Sequence, residues 1–166
     1  GERLITAANS SKRENGPIFA STRFGNVLGS SGSVIPIFRN QISNGGPVTL
    51  TDRNMTRFVM SVEEAVELVL NSVIEAKGGE VFVTKMPVMR IKDLAVAMIE
   101  ELCLDGVEIT EIGSKPGEKL YEELMSDEET RRTIELDKFF SVLPAFRGIY
   151  SDINYNYSAI VSELVE

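Results

Sequence analysis

Arg23, Asn26, Arg57, Lys115 and Lys119 stand at the ends of apolar runs or in polar loops, where a side chain can reach a ligand. The run Gly25-Asn26-Val27-Leu28-Gly29-Ser30-Ser31-Gly32-Ser33 follows a short apolar stretch that ends at Phe24. Sheets of the α/β type hold ligands in the crevice at the carboxyl ends of their strands. Small residues there let backbone N–H groups approach a phosphate, and Asn26 adds an amide donor. An arginine such as Arg57 suits a phosphate because its planar guanidinium donates two parallel hydrogen bonds. The pattern therefore fits an anionic ligand. Each part also has a plain structural reading. A Gly/Ser run can simply turn the chain, Arg57 can be a solvated strand residue, and Glu118 can be a helix-start carboxylate held by the dipole.

Composition excludes much other chemistry. The 166 residues include no histidine and one cysteine, Cys103. This excludes Ser-His-Asp and Cys-His catalysis, His-ligated zinc, cysteine-cluster metal sites and an intramolecular disulfide. No metal site is expected. The net charge of −8 disfavours nucleic acid as a partner. No apolar run approaches the ~20 residues of a membrane span, and no signal-peptide pattern opens the sequence. A cytoplasmic location is expected. With 43% apolar residues a packed core is within reach.

The elements that must position these residues follow from periodicity. Leu4, Ile5 and Ala8 have helical spacing without a cap before them, like the second half of a helix. Residues 18–24 read as a buried strand and 25–33 as a loop. Ser33 can cap a helix with Pro36 in its first turn and Ile35, Phe38 and Ile42 on its apolar face. Asn44-Gly45-Gly46-Pro47 ends that helix. Strands are expected at 48–51 and 56–60. Ser61 and Glu64 form a capping-box pattern before a helix with Val62, Ala65, Val66, Val69 and Val73 on one face. A strand at 81–83 precedes the clearest amphipathic helix, with Ile91, Leu94, Ala95, Met98, Ile99 and Leu102 on one side. Residues 107–112 alternate as a half-buried strand. Residues 118–125 and 127–134 read as short helical stretches, and the chain from Phe139 as aromatic and turn-rich. Cys103 reads as a core filler, Tyr121 and Tyr150 as packing residues, and the Glu63-Glu64-Glu67 group as a solvated face. Alternating strands and helices argue an α/β or α+β chain.

Three segments carry a resemblance: Arg23 to Pro36, Val48 to Phe58, and Lys115-Pro116-Gly117-Glu118-Lys119-Leu120-Tyr121-Glu122-Glu123-Leu124. In this order they resemble the CapD-like polysaccharide-biosynthesis branch of the extended short-chain dehydrogenase/reductases. Its members are UDP-N-acetylglucosamine 4,6-dehydratases and related UDP-sugar epimerases. The resemblance implies an α/β fold made of a late Rossmann strand and the small mixed α/β substrate-binding subdomain. Residues 1–30 would be the tail of the Rossmann domain, 31–150 the UDP-sugar-binding part and 151–166 a C-terminal tail. Asn26 matches the asparagine on the substrate's diphosphate, and Arg57 the arginine that clamps it. Val34 and Ile35 match backbone bordering the uracil, and Glu118 the acidic residue near the ribose. Lys115 stands where relatives often carry Arg, which keeps the charge but loses the fork. Phe24, Gly25, Asn26 and Val27 match the segment between the nicotinamide of NAD or NADP and the sugar nucleotide.

The same family carries a Gly-rich dinucleotide fingerprint, an Asp/Lys pair and a Tyr-x-x-x-Lys motif ahead of these segments. None occurs in this sequence. The resemblance thus implies the C-terminal half of a nicotinamide-dependent UDP-N-acetylglucosamine 4,6-dehydratase, with no catalytic residue in this chain and no turnover by it alone. A UDP-sugar 4-epimerase and a non-catalytic UDP-sugar-binding module are the alternatives. The intact family forms homo-oligomers, and its chemistry is hydride transfer from C4 of the sugar followed by loss of water and hydride return.

Overall fold

The computed structural model describes residues 1–11, 16–30, 32–103, 106–114, 116–146, 150, 152–157 and 160–164. In chain order the elements are α1 (Glu2–Ala8), a 3-10 turn (Asn9–Ser11), β1 (Ser21–Arg23), β2 (Asn26–Val27), α2 (Val34–Ser43), β3 (Val48–Leu50), β4 (Thr56–Met60), α3 (Val62–Glu75) and β5 (Val81–Thr84). They continue with β6 (Val88–Arg90), α4 (Ile91–Glu101), β7 (Ile109–Glu111), α5 (Asp127–Thr130), β8 (Thr133–Leu136), β9 (Phe139–Val142) and β10 (Ile160–Leu164). The chain divides into two compact units. The first is Gly1–Phe24, Glu63–Lys85 and Glu123–Glu166; the second is Gly25–Val62 and Met86–Glu122.

The first unit is built on a sheet of order β1-β5-β9-β8-β10. β1 and β5 run parallel, with Ser21 opposite Val81 and Arg23 opposite Val83. The other pairings are antiparallel. Val81-Phe82-Val83 is buried throughout, as a continuous β-branched and aromatic run inside a covered sheet should be. The Phe82 ring meets Phe139 edge-on, 5.5 Å between centroids, and Leu68, Ile134, Leu136, Leu143 and Tyr157 complete that core.

Several expectations are corrected in this unit. Residues 118–125, which span the end of one unit and the start of the other, are not helical, and 127–134 holds only the four-residue α5 before β8 begins. The Ser126–Glu129 capping box starts α5, and Ser126 Oγ accepts from Glu129 N–H. β8 and β9 form a hairpin around Asp137-Lys138, a turn without the glycine that flags most two-residue hairpins. The stripe expected on α3 faces out: Val66, Val69 and Val73 are 52%, 41% and 75% exposed, while Leu68 and Ser72 are buried. The four valines share one face of α3, yet the helix is buried on the side of Leu68 and Ser72, so its strongest apolar stripe is not the face that the sheet covers.

The second unit holds the sheet β2-β4-β6 and the parallel pair β3-β7. β2, inside the stretch read as a loop, pairs parallel with β4, Asn26 opposite Val59 and Val27 opposite Met60. α2 and α4 enclose a core of Phe38, Ile42, Val48, Leu50, Met55, Ile91, Ala95 and Met98. Here the apolar spacing of each helix does name the buried face, because each helix has only one. Gln41 ties α2 to β3: its Nε2 donates to Thr49 Oγ1 at 2.7 Å, and its Oε1 accepts from Thr49 N–H at 3.1 Å. Ser33 occupies the N-cap of α2 with extended backbone, but its side chain makes no capping bond. Cys103 is not a core residue. It follows the end of α4 at φ +50° and is exposed.

Candidate functional site

A cavity of about 300 Å³ opens within the second unit, at the small end of ligand pockets. Asn26, Ser33, Val34, Ile35, Arg57 and Glu118 line it, with Phe38, Leu50, Met55 and Ile91 behind them. Five of the residues expected to hold a UDP-sugar thus share one wall system: Asn26, Val34, Ile35, Arg57 and Glu118. Asn26 comes from the edge strand β2, Val34 and Ile35 from the first turn of α2, and Arg57 from β4. Lys115 lies outside the described residues.

The Ser33 hydroxyl is buried in this wall and has no hydrogen-bond partner among the described residues. It sits at the α2 N-terminus, where backbone N–H groups are unpaired and the dipole favours an acceptor. Glu118 accepts from Thr51 Oγ1 at 3.2 Å. Thr51 carried no signal in the sequence beyond its place at the end of a strand.

Arg57 is the most constrained residue of the site, its side chain only 12% exposed. Nη1 donates to the Thr56 carbonyl at 2.7 Å and the Leu120 carbonyl at 3.3 Å, and Nη2 to the Lys119 carbonyl at 2.9 Å. Leu120 O also accepts from Thr56 N–H, so β4 holds the 118–122 segment by main chain and side chain together. These long-range bonds take the place of helical ones in that segment. Nε faces Glu122 Oε1 at 3.7 Å. A guanidinium has five N–H groups. Three point at carbonyls, leaving the Nε–H and one Nη2–H. Glu122, which pairs with Arg57 but is not among the residues that line the cavity, is a second residue that the sequence did not single out.

The four residues expected to border a nicotinamide are consecutive in the chain. Gly25, Asn26 and Val27 belong to the second unit and Phe24 to the first, where it is half exposed. A Cβ on Gly25 would lie 2.5 Å from Met86 Sδ and 2.7 Å from the Phe58 carbonyl, so the backbone here is packed as closely as glycine allows. The sequence has no Gly-x-x-Gly-x-x-Gly run to cradle the phosphates of a dinucleotide. Among the described residues no group of His, Cys, Asp and Glu could hold a metal ion.

The first unit has a larger cavity, about 860 Å³, next to Arg23. Two of the three arginines that line it are already matched. Arg23 is paired with Glu2 at 2.6 Å and Glu129 at 2.7 Å, and Arg132 with Glu128 at 2.9 Å. The hydrogen bond from Arg23, ahead of smaller contributions from Ser126, lowers the Glu129 carboxyl to about 2. Glu2 and Glu129 in turn push Arg23 further up from its already high value. That cluster is a structural clamp, and an added anion would have to displace carboxylates from it.

The fold and the cavity together define an α/β chain whose cavity is assembled from strand ends and a helix start. The chain belongs to the polysaccharide biosynthesis protein family, whose profile matches residues 1–144. It is 51% identical over 149 residues to an uncharacterized membrane protein of Methanocaldococcus jannaschii, covering 86% of this chain and 45% of that one. It is 36% identical over 160 residues to the UDP-N-acetylglucosamine 4,6-dehydratase (inverting) of Campylobacter jejuni, covering 96% and 46%. The solved structure of Pen from Bacillus thuringiensis superposes with a TM-score of 0.81 at 48% identity, over 87% of this chain and 46% of that one. Nucleotide-sugar dehydratases and epimerases under 25% identical share the fold. The expected α/β fold class, part of an extended short-chain dehydrogenase/reductase, is the observed one, shared with Pen at 48% identity as well as with these more distant enzymes. The chain spans about half the length of these relatives. No described helix is long and apolar enough to cross a membrane.

Proposed function

We propose that this chain supplies the substrate-binding part of a nicotinamide-dependent UDP-N-acetylglucosamine 4,6-dehydratase of nucleotide-sugar biosynthesis. The observation that carries the reading is the single cavity shared by Asn26, Arg57 and Glu118, with Val34 and Ile35 at its apolar side. The likeness to the Campylobacter dehydratase supports it.

In this reading the uracil lies against Val34 and Ile35 at the start of α2. Glu118, held by Thr51, accepts hydrogen bonds from the ribose hydroxyls. Asn26 donates its amide to the diphosphate, and Arg57 places a fixed positive charge beside it. Binding energy from UDP, remote from the reacting carbons, then orients the sugar. Phe24 to Val27 border the nicotinamide of NAD or NADP, which when bound supplies hydride transfer at the sugar. This chain's residues bind and position; none of them moves the proton.

Titration calorimetry of the chain with UDP tests this. Binding is expected, with uridine much weaker because it lacks the diphosphate. Arg57→Ala is expected to weaken UDP at least tenfold, about 1.4 kcal/mol. Equal UDP affinity in a protein with alanine at both Asn26 and Arg57 would remove the site assignment.

A further inference from the structure

We infer that Glu122 is an internal stand-in for the ligand's anion, held against the one edge of Arg57 that remains available, and that it sets the affinity of the site. This rests on the reading of the cavity as a UDP-sugar site. Three of the five guanidinium N–H groups of Arg57 are committed to the Thr56, Lys119 and Leu120 carbonyls. Those bonds fix the plane of the guanidinium, so it cannot turn to offer another edge. The Nε side faces the Glu122 carboxylate at 3.7 Å. An anion that takes a paired contact from Arg57 must use that side, because a guanidinium binds bidentately through two adjacent N–H groups.

Glu122 therefore competes with the ligand for one charge. Its side chain is 43% exposed, against 12% for Arg57. The acid can swing into solvent while the arginine stays. An exposed carboxylate at 3.7 Å is also a weak partner, so a diphosphate with more charge and more acceptors displaces it. The arrangement keeps the guanidinium compensated and oriented when no ligand is present, and makes binding an exchange of one anion for another. It selects against singly charged or neutral ligands, which gain too little to displace the acid. Glu122 is a positioning and affinity-setting residue, not a catalytic one.

The test compares Glu122→Gln with Glu123→Gln, which removes the same charge one residue away, at a side chain with no ion pair to Arg57. UDP is titrated into each by calorimetry at two salt concentrations, with circular dichroism to check folding. Glu122→Gln is expected to bind UDP about three- to fivefold more tightly than the parent chain, with a steeper loss of affinity on adding salt. Glu123→Gln is expected to change affinity less than about twofold. Equal effects of the two variants, or weaker binding in a folded Glu122→Gln, would overturn the stand-in role while leaving the site reading in place. No binding by the parent or by either variant would overturn the site reading itself. Binding by Glu122→Gln alone would support both.

Discussion

Replacing Arg23 by methionine tests how much of the first unit depends on one guanidinium. Methionine keeps the apolar stem and removes five hydrogen bonds: two to Glu2, two to Glu129 and one to the Leu124 carbonyl. The lowering of Glu129 from 4.5 to about 2 corresponds to about 3 kcal/mol as a ceiling. Both groups keep some solvent contact, 22% for Arg23 and 16% for Glu129, so roughly 1–2 kcal/mol is the better figure. The Glu2 and Leu124 bonds add about 1 kcal/mol. The expected loss is about 2–3 kcal/mol, or roughly 5–10 °C in Tm for a chain of this size. Urea unfolding at several pH values reads it. Because Glu129 is lowered in the folded state, its contribution is complete above pH ~4.5 and disappears as pH falls towards about 2. The gap between parent and Arg23→Met should therefore close over that window. A variant within 0.5 kcal/mol of the parent at pH 7, or a gap that stays constant down to pH ~2.5, would refute the clamp.

Phe38→Ala should cost about 3–5 kcal/mol in chemical denaturation, since Phe38 is 2% exposed in the core of the second unit. Gly25→Ala should lower Tm by several degrees, an overpacking cost of about 1–3 kcal/mol, because the added methyl meets the Phe58 carbonyl, which cannot swing aside. Tyr157→Phe should cost about 1–3 kcal/mol, since the Tyr157 hydroxyl donates to the fully buried Glu80 at 3.1 Å. Burial and then the Glu80 charge push Tyr157 up, so its contribution is constant below pH ~10 and falls above it. Denaturation midpoints at pH 8 and pH 10.5 should show Tyr157→Phe losing less than the parent.

Helices α2 and α4 were legible because each has one apolar face; the Asn44-Gly45-Gly46 stop of α2 adopts φ +85° and +84° at its two glycines. The opposite case is α3, whose stripe of Val62, Val66, Val69 and Val73 stays exposed while Leu68, on a neighbouring side of the helix, joins the core of the sheet. The β8–β9 hairpin was hidden by its Asp-Lys turn and by apolar residues such as Phe139 and Phe140 on both faces. For the candidate site, the residue types pointed to an anion, and the cavity brings Asn26, Arg57 and Glu118 together. The partners of Arg57 were not legible. Two of them are main-chain carbonyls more than sixty residues away, set by the path of the chain and not by side-chain type.

A crystal structure of this chain with UDP tests the central claim most directly. The diphosphate should lie within hydrogen-bond distance of Asn26 and the Nε edge of Arg57, the base against Val34 and Ile35, and the ribose at Glu118, with Glu122 turned away. UDP bound instead in the cavity beside Arg23, or on a surface away from Arg57, would contradict the account.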